Sequence, residues 1–205
     1  MAFPRIVGPM QVSRPWLPGA LRDVGHSGGI QIRATKQVGW TWEEKWPPLR
    51  VGDADDMALL AVIDYMWNRG VIDTLTHPLI PGSGRPPNGA GGGTPLVDGA
   101  SQTGGALVTD GWPNNITNVV RAGDVIKLAG DNVVYQNRTD ASSNGTGQAT
   151  LNLVPNLRVS PANDAVITRT GVTYRVIIMG RSRFEPSRAP DYFAGMTVIF
   201  TEMFL

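Results

Sequence analysis

Large apolar and polar side chains alternate along residues 30–46. The apolar members share one parity: Ile30, Ile32, Ala34, Val38, Trp40, Trp42 and Trp46. Charged, amide and hydroxyl side chains occupy most of the other parity. Because successive side chains of a β-strand point to opposite faces, this alternation predicts a half-buried sheet, with room for a turn inside the segment.

A helical pattern follows this sheet segment. Pro47 and Pro48 end the strand, and Asp53 is placed to cap a helix over residues 54–68. Its apolar positions form one wide face: Leu59, Leu60, Val62, Ile63, Met66 and Trp67. Gly70 is placed to end it. We expect this to be the one substantial helix.

Short strand patterns dominate the rest of the chain. They occur around residues 124–128, 133–139, 148–154 and 172–179, separated by turn sequences. Four short strands at this spacing predict a small barrel or sandwich. Residues 196–205 alternate again, and we expect this last strand to return to the first domain.

The positions of glycine and proline along the chain indicate where the domains begin and end. The chain holds 25 glycines and 16 prolines in 205 residues, more than average usage. Four prolines in residues 1–29 predict an extended arm, and the composition of residues 86–105 predicts a Gly/Pro-rich linker. The expected first domain is therefore residues 30–85 plus 181–205, and the expected second is a small inserted β-domain over residues 106–180.

Composition narrows the classes of function. The formal net charge is +1 with both signs interspersed, which argues against a nucleic-acid-binding surface. Arg175, Arg181, Arg183 and Arg188 favour a solvated or interface face over a polyanion site. The chain has no cysteine, so disulfides and thiolate zinc sites are excluded. No apolar stretch reaches signal-peptide or membrane-spanning length, so we expect no membrane insertion and synthesis in a cytoplasm.

Motifs that suggest catalysis lack the context that the chemistry needs. Residues 25–29 match the nucleophile elbow around Ser27, but a proline-rich arm precedes them and an alternating strand follows. His77 precedes a proline in a loop, and the adjacent Glu43 and Glu44 point to opposite faces of a strand. We therefore predict no enzyme, no catalytic residue, no cofactor and no metal site.

Three tryptophans on one predicted sheet face form the main candidate site. Large rings in this position are more often core or subunit interface than a platform on which sugars stack. The candidate subunit interface consists of Trp40, Trp42, Trp46, Arg181 and Arg183. A carbohydrate-binding module with these tryptophans as its platform stays open as an alternative.

The order of features resembles the distal tail protein family of long-tailed phages. The stretches that carry the resemblance cover most of the chain after the arm: KWPPL (45–49), ADDMALLAVIDYMWN (54–68), the glycine-rich connection, RAGDVIKLAGDNVVYQ (121–136) and LNLVPNLRVSPANDAVI (151–167). The resemblance implies a mainly β fold with one substantial helix. It consists of a tail-tube-like β-sandwich or barrel domain plus a small inserted β-barrel or sandwich domain.

The resemblance also implies a structural role in the virion. The expected assembly is a homo-oligomeric, hexameric ring that joins the end of the tail tube to the tail-tip hub and receptor-binding proteins. Expected partners are the tail tube protein, the hub and the tape measure protein, and DNA passes through the lumen only in transit. Synthesis is expected in the host bacterial cytoplasm. A tail tube subunit, or another tail or baseplate structural protein, fits the same pattern.

Overall fold

The computed structural model describes residues 9, 11–14, 21–24, 30–33, 39–70, 73–181 and 191–203. The chain forms two compact units, Met1–Asp73 with Val176–Phe204, and Thr74–Arg175. The second unit is therefore an insertion in the sequence of the first. Among the described residues the protein is mainly β with a single helix, which confirms the predicted class of fold.

Short strands lie on both sides of the helix along the chain. The first elements are β1 (Gln11–Val12), β2 (Leu21–Val24), β3 (Ile30–Arg33), β4 (Thr41–Lys45), β5 (Leu49–Arg50), α1 (Ala54–Arg69) and β6 (Asp73–Leu75). Next come β7 (Leu96–Val97), β8 (Gly104–Asp110), β9 (Val125–Leu128), β10 (Val134–Asn137), β11 (Ala149–Leu157) and β12 (Ile167–Thr168). The last are β13 (Tyr174–Arg181), β14 (Tyr192–Phe193) and β15 (Thr197–Glu202).

The first unit is built on a sheet whose neighbouring strands are distant in sequence. The sheet order is β1, β4, β15, β13 and β6. β15 lies between β4 and β13 and pairs antiparallel with both. Directly opposed residues share a face, so Trp42 meets Phe200 with ring centroids 5.6 Å apart. The alternation of residues 196–205 predicts a strand, and this last strand returns to the first unit, as expected from the few other strands predicted there.

The helix forms where the sequence places its start and stop signals. Asp53 is the N-cap, and its Oδ1 accepts hydrogen bonds from the Asp55 and Asp56 amides at 3.0 and 3.1 Å. Gly70 ends the helix in the left-handed conformation at φ 61°. The buried apolar residues of α1 are Leu59, Val62, Ile63 and Met66. With the buried face of the sheet they belong to the core of the first unit.

The second unit is a six-stranded antiparallel barrel. Its strand order is β12, β9, β10, β11, β8 and β7. The two ends of this sheet meet at a seam, where Leu96 of β7 bridges Val166 beside β12. The Val97 amide donates to the Ala165 carbonyl across the seam at 3.0 Å. This closure agrees with the predicted small β-barrel and covers the edges of both terminal strands of this sheet.

The inserted unit begins earlier than the sequence predicts. The structure divides the chain at 73/74 and 175/176, whereas the sequence predicts an inserted domain over 106–180 and a linker over 86–105. Residues 86–105 lie inside the second unit and contain β7, whose Val97 is fully buried. Glycine-rich composition predicts flexibility only where nothing packs against the backbone, and in this unit the glycines permit close packing.

Gly93 and Gly91 show why this segment needs glycine. Gly93 has φ +67°, and a Cβ at this position would lie 2.1 Å from the Gly111 carbonyl oxygen. A Cβ on Gly91 would overlap the Arg169 guanidinium, which lies over Trp112 with Cζ 5.9 Å from the ring centroid. Burial lowers the pKa of Arg169 below its ordinary value. The segment is therefore a packed part of the second unit.

Most of the predicted N-terminal arm, residues 1–29, lies outside the described residues. Within it the structure describes Pro9, residues 11–14 and residues 21–24. β1 pairs antiparallel with β4, and β2 pairs antiparallel with β3. The alternating segment over residues 30–46 therefore contains β3 and β4, but these strands belong to different sheets: among the described residues β3 pairs only with β2, and β4 lies in the five-stranded sheet. The connection over residues 34–38 is outside the described residues.

Candidate assembly interface

The tryptophans predicted at a subunit interface lie inside the first unit. Trp40, Trp42 and Trp46 are 6%, 0% and 2% exposed. The Trp42 indole donates to Glu44 Oε1 at 3.1 Å. The Trp40 amide donates to Glu202 Oε2 at 3.3 Å. The alternation is that of a core strand, so these rings are covered by the chain itself and present no surface to a second subunit or to a sugar.

A β-bulge in β13 redirects Arg181, another residue of the predicted interface. The register between β13 and β15 shifts between Ile178 and Gly180, so Met179 is the extra residue. Met179 is 59% exposed, and the shift brings Arg181 opposite Val198 on the buried face of the sheet. An unbroken alternation would have placed Arg181 on the opposite face.

Arg181 uses this inward position to join the sheet to the helix. Its Nη1 forms an ion pair with the Asp64 carboxylate, and its Cζ lies 5.6 Å from the Trp67 ring centroid. The Arg181 side chain is 20% exposed and the Asp64 side chain 42% exposed. Arg181 is thus a structural residue of the first unit. Arg183, the other predicted interface arginine, lies outside the described residues.

Removing the Arg181 guanidinium is expected to destabilise the first unit modestly. Arg181→Met keeps an apolar stem but loses the ion pair and the contact with Trp67, which at partly exposed sites together contribute about 1–2 kcal/mol. Arg138→Met, at an exposed position of the second unit, is the matched control and should change stability by less than about 0.5 kcal/mol. Urea unfolding measures both variants, and equal effects would contradict the assigned role of Arg181.

The side of the sheet away from the helix offers the candidate contact surface. We call this the outer face, and it consists of Glu43, Lys45, Ile177, Thr197, Ile199 and Thr201. All six side chains are half-buried or exposed, and they alternate with the core residues of their strands. The exposed Met179 on β13 adds further apolar surface. The face therefore carries two half-buried isoleucines among charged and hydroxyl side chains, with one exposed methionine beside them.

β1 forms one edge of this sheet and is only two residues long. Its ladder with β4 consists of the pairs Gln11–Lys45 and Val12–Glu44. Ser13 extends the pairing, because its amide donates to Glu43 O at 2.9 Å and its Oγ accepts from the Glu43 amide at 2.8 Å. Short edge strands limit uncontrolled pairing of a sheet with other chains.

Polar groups in the second unit are engaged in its own packing. His77 is fully buried, and its Nδ1 accepts from the Leu79 amide at 3.2 Å. Tyr135 donates to Asp131 Oδ2 at 2.6 Å, and burial together with this hydrogen bond raises the pKa of Tyr135 above its ordinary value. Ser27, the candidate nucleophile of the elbow motif, lies outside the described residues.

Ser13 and Met179 are residues that sequence reasoning missed. Gly180 inside a strand pattern is a signal that could have located the bulge, because glycine within a strand often marks one. No local signal identifies Ser13, since its partner Glu43 lies 30 positions away in the chain.

The described residues contain neither a group that could hold a metal ion nor a membrane-spanning helix. In the part of the chain that the structure describes, no group of three or more His, Asp or Glu side chains is arranged to hold a metal ion. Within those same ranges, no helix combines the length and the apolar character needed to cross a membrane. Comparison with protein-family models and with curated protein sequences finds no match.

Proposed function

We propose that this chain is a structural, non-enzymatic subunit of a phage tail that forms a ring at the distal end of the tail tube. The observation that carries the proposal is the order of the two units, a sheet with one helix whose sequence is interrupted by a closed β-barrel. This is the organisation that the resemblance to distal tail proteins implies. It supports a ring-forming domain with a second domain inserted in it.

In this proposal the first unit associates with copies of itself into a hexameric ring. The ring joins the tail tube protein to the tail-tip hub and receptor-binding proteins, with the tape measure protein as a further partner. DNA passes through the lumen in transit. The protein is made in the host bacterial cytoplasm and becomes part of the virion at the tail tip.

The outer face supports assembly because a ring subunit needs attractive surface that remains after its own core has formed. Ile177 and Ile199 lie on this face, and Met179 is exposed on the same sheet. The charges at one side of the face balance each other, since Lys45 Nζ lies 3.8 Å from Glu43 Oε1. A mixed surface of apolar, hydroxyl and balanced charged side chains suits association between identical subunits.

A tail tube subunit remains the second candidate, because the same ring-forming unit serves a tube that stacks many rings. The inserted barrel favours the tip, where a second domain can meet other proteins. The carbohydrate-binding alternative loses the observation on which it rests, since the three tryptophans of its platform are buried.

Light scattering across a concentration series, followed by negative-stain imaging of the largest species, tests the proposal. We expect rings with an open lumen. Stacking of the purified protein into tubes would favour the tube subunit. Monomers at every concentration would contradict the ring.

Two matched variants locate the contact surface in the same assay. Met179→Asp places a charge beside the outer face and is expected to weaken assembly. Val159→Asp changes an equally exposed apolar side chain of the second unit, 62% exposed, and should leave assembly unchanged. An equal effect of the two variants would argue against the outer face as the contact surface.

A further inference from the structure

We infer that Asn144 is a site of spontaneous deamidation, a covalent modification that needs water and no enzyme. Asn144 and Gly145 lie in an exposed turn shortly before β11 in the second unit. The first step is an attack of the Gly145 backbone nitrogen on Cγ, the carbonyl carbon of the Asn144 side chain. This step needs an accessible nitrogen, space around it, and an oxygen that can carry developing negative charge. The turn meets all three requirements, and the inference does not depend on the proposed function.

The atoms of the reaction balance with water as the co-reactant. The bond between the Gly145 nitrogen and Cγ forms, and the bond between Cγ and Nδ2 of Asn144 breaks. Nδ2 leaves as ammonia and takes up the proton of the Gly145 N–H, so a five-membered cyclic imide remains. Water then opens the imide at one of its two carbonyl groups. Opening at one carbonyl gives aspartate, and opening at the other gives isoaspartate, in which the backbone runs through the former side chain.

Three donors surround the oxygen on which negative charge develops. Asn144 Oδ1 accepts from the Thr146 amide at 2.9 Å, from Thr146 Oγ1 at 2.8 Å and from the Gln148 amide at 2.9 Å. Donors that already point at a carbonyl oxygen stabilise the oxyanion of a tetrahedral intermediate. The bond from the Thr146 amide, two residues on, also brings the side chain alongside the intervening peptide bond. The side-chain carbonyl is therefore both activated and close to the attacking nitrogen.

The Gly145 nitrogen is available for the attack. Among the residues that the structure describes, its N–H donates to no other group, and Gly145 is exposed. A Cβ placed on Gly145 would meet nothing closer than Asn115 Oδ1, at 3.6 Å. Glycine has no side chain that could cover its own nitrogen. The new ring thus has room to form without displacing packed atoms.

A second Asn–Gly pair in the same unit, Asn88–Gly89, lacks these properties. The Gly89 N–H donates to Asp124 Oδ2 at 2.9 Å, and both Gly89 and Asp124 are buried. A Cβ on Gly89 would lie 2.5 Å from the Val119 carbonyl oxygen, so its surroundings are tightly packed. Attack on Asn88 would first have to break a charge-assisted hydrogen bond. The chain therefore contains a matched control made of the same two residue types.

Deamidation changes both the charge and the hydrogen bonds of the turn. One added negative charge lowers the formal net charge from +1 to 0. Asn144 Nδ2 donates to Gln148 Oε1 at 3.3 Å, and Gln148 Nε2 donates to Asp98 Oδ2 at 2.8 Å. A carboxylate has no N–H to donate, so the product places an acceptor opposite Gln148 Oε1. We expect the contact between the modified side chain and Gln148 to open.

Peptide mapping by mass spectrometry tests the site, because exchange of an amide for an acid raises the mass of the peptide. The purified chain is incubated in mildly alkaline buffer, with and without urea, and sampled over time. In the folded protein we expect Asn144 to react about tenfold faster than Asn88, since the hydrogen bond from Gly89 to Asp124 must break first. In urea the two pairs should react at similar rates. Equal rates in the folded protein, or slower reaction at Asn144, would overturn the inference.

Two variants separate the chemistry from simple exposure of the turn. Gly145→Ala fits the turn, but its methyl group hinders the approach of the nitrogen, so we expect about tenfold slower deamidation. Thr146→Val removes one donor to Asn144 Oδ1 and should slow the reaction several-fold, whereas Thr146→Ser keeps the hydroxyl and should restore the rate. Hydrogen exchange of the β11 amides checks that each variant keeps its fold. In a folded variant, an unchanged rate in either Gly145→Ala or Thr146→Val would overturn the inference.

Discussion

Replacing Phe200 by alanine is expected to lower the free energy of unfolding of the first unit by about 3–5 kcal/mol. The Phe200 side chain is fully buried, and β15 holds it between β4 and β13, opposite Trp42. Truncation loses the transfer free energy of the ring. It also leaves a cavity that can collapse only partly, because the strands on both sides fix the position of β15.

Urea unfolding followed by tryptophan fluorescence measures this loss of unfolding free energy in the first unit. Trp112 is the one tryptophan within Thr74–Arg175, so the fluorescence reports mainly on the first unit. The control is Ile199→Ala, one position earlier on β15 but on the half-buried outer face, with an expected loss of about 1–2 kcal/mol. Equal losses would show that the alternation of β15 does not separate core from outer face.

Replacing Gly93 by alanine is expected to destabilise the second unit by about 3 kcal/mol or more. The left-handed backbone costs a residue with a side chain about 1–2 kcal/mol. The new Cβ would also meet the Gly111 carbonyl oxygen at 2.1 Å, and both backbones would have to shift to relieve the overlap. Because the contact is with backbone, no change of rotamer can remove it.

Hydrogen exchange of the β8 and β11 amides measures the effect, since these strands pair inside the barrel. The matched control is Gly145→Ala, where the nearest atom to a new Cβ is 3.6 Å away, an ordinary contact. We expect much faster exchange in Gly93→Ala and little change in Gly145→Ala. Two unaffected variants would mean that the glycine-rich segment is the flexible linker that its composition predicts.

Local sequence signals predict α1 well because its caps and apolar face depend on residues close together in the chain. The predicted span, residues 54–68, differs from Ala54–Arg69 by one residue. The last strand is predicted correctly for the same reason. Successive side chains of a strand point to opposite faces whatever strand lies beside it, so the local alternation is enough to identify the strand.

Alternation shows which side chains share a face but not what covers that face. Trp40, Trp42 and Trp46 have the alternation of a sheet face, yet residues far away in the chain decide whether it meets a helix or another subunit. The glycine-rich segment presents the same difficulty. Its composition suits a linker and a packed loop equally, and the difference lies in a distant carbonyl group, that of Gly111 beside Gly93.

The central position of β15 also fixes when the first unit can be completed. A ribosome adds roughly 5–20 residues per second, so all of Thr74–Arg175 emerges before β15 does. The time between the synthesis of Trp42 and that of Phe200 is therefore on the order of ten seconds. By the end of that interval the inserted barrel has every strand that it needs, because β12 ends at Thr168, while the sheet interrupted by it still lacks its middle strand. Translation thus delays completion of the sheet of the first unit until every strand of the inserted barrel has been synthesised.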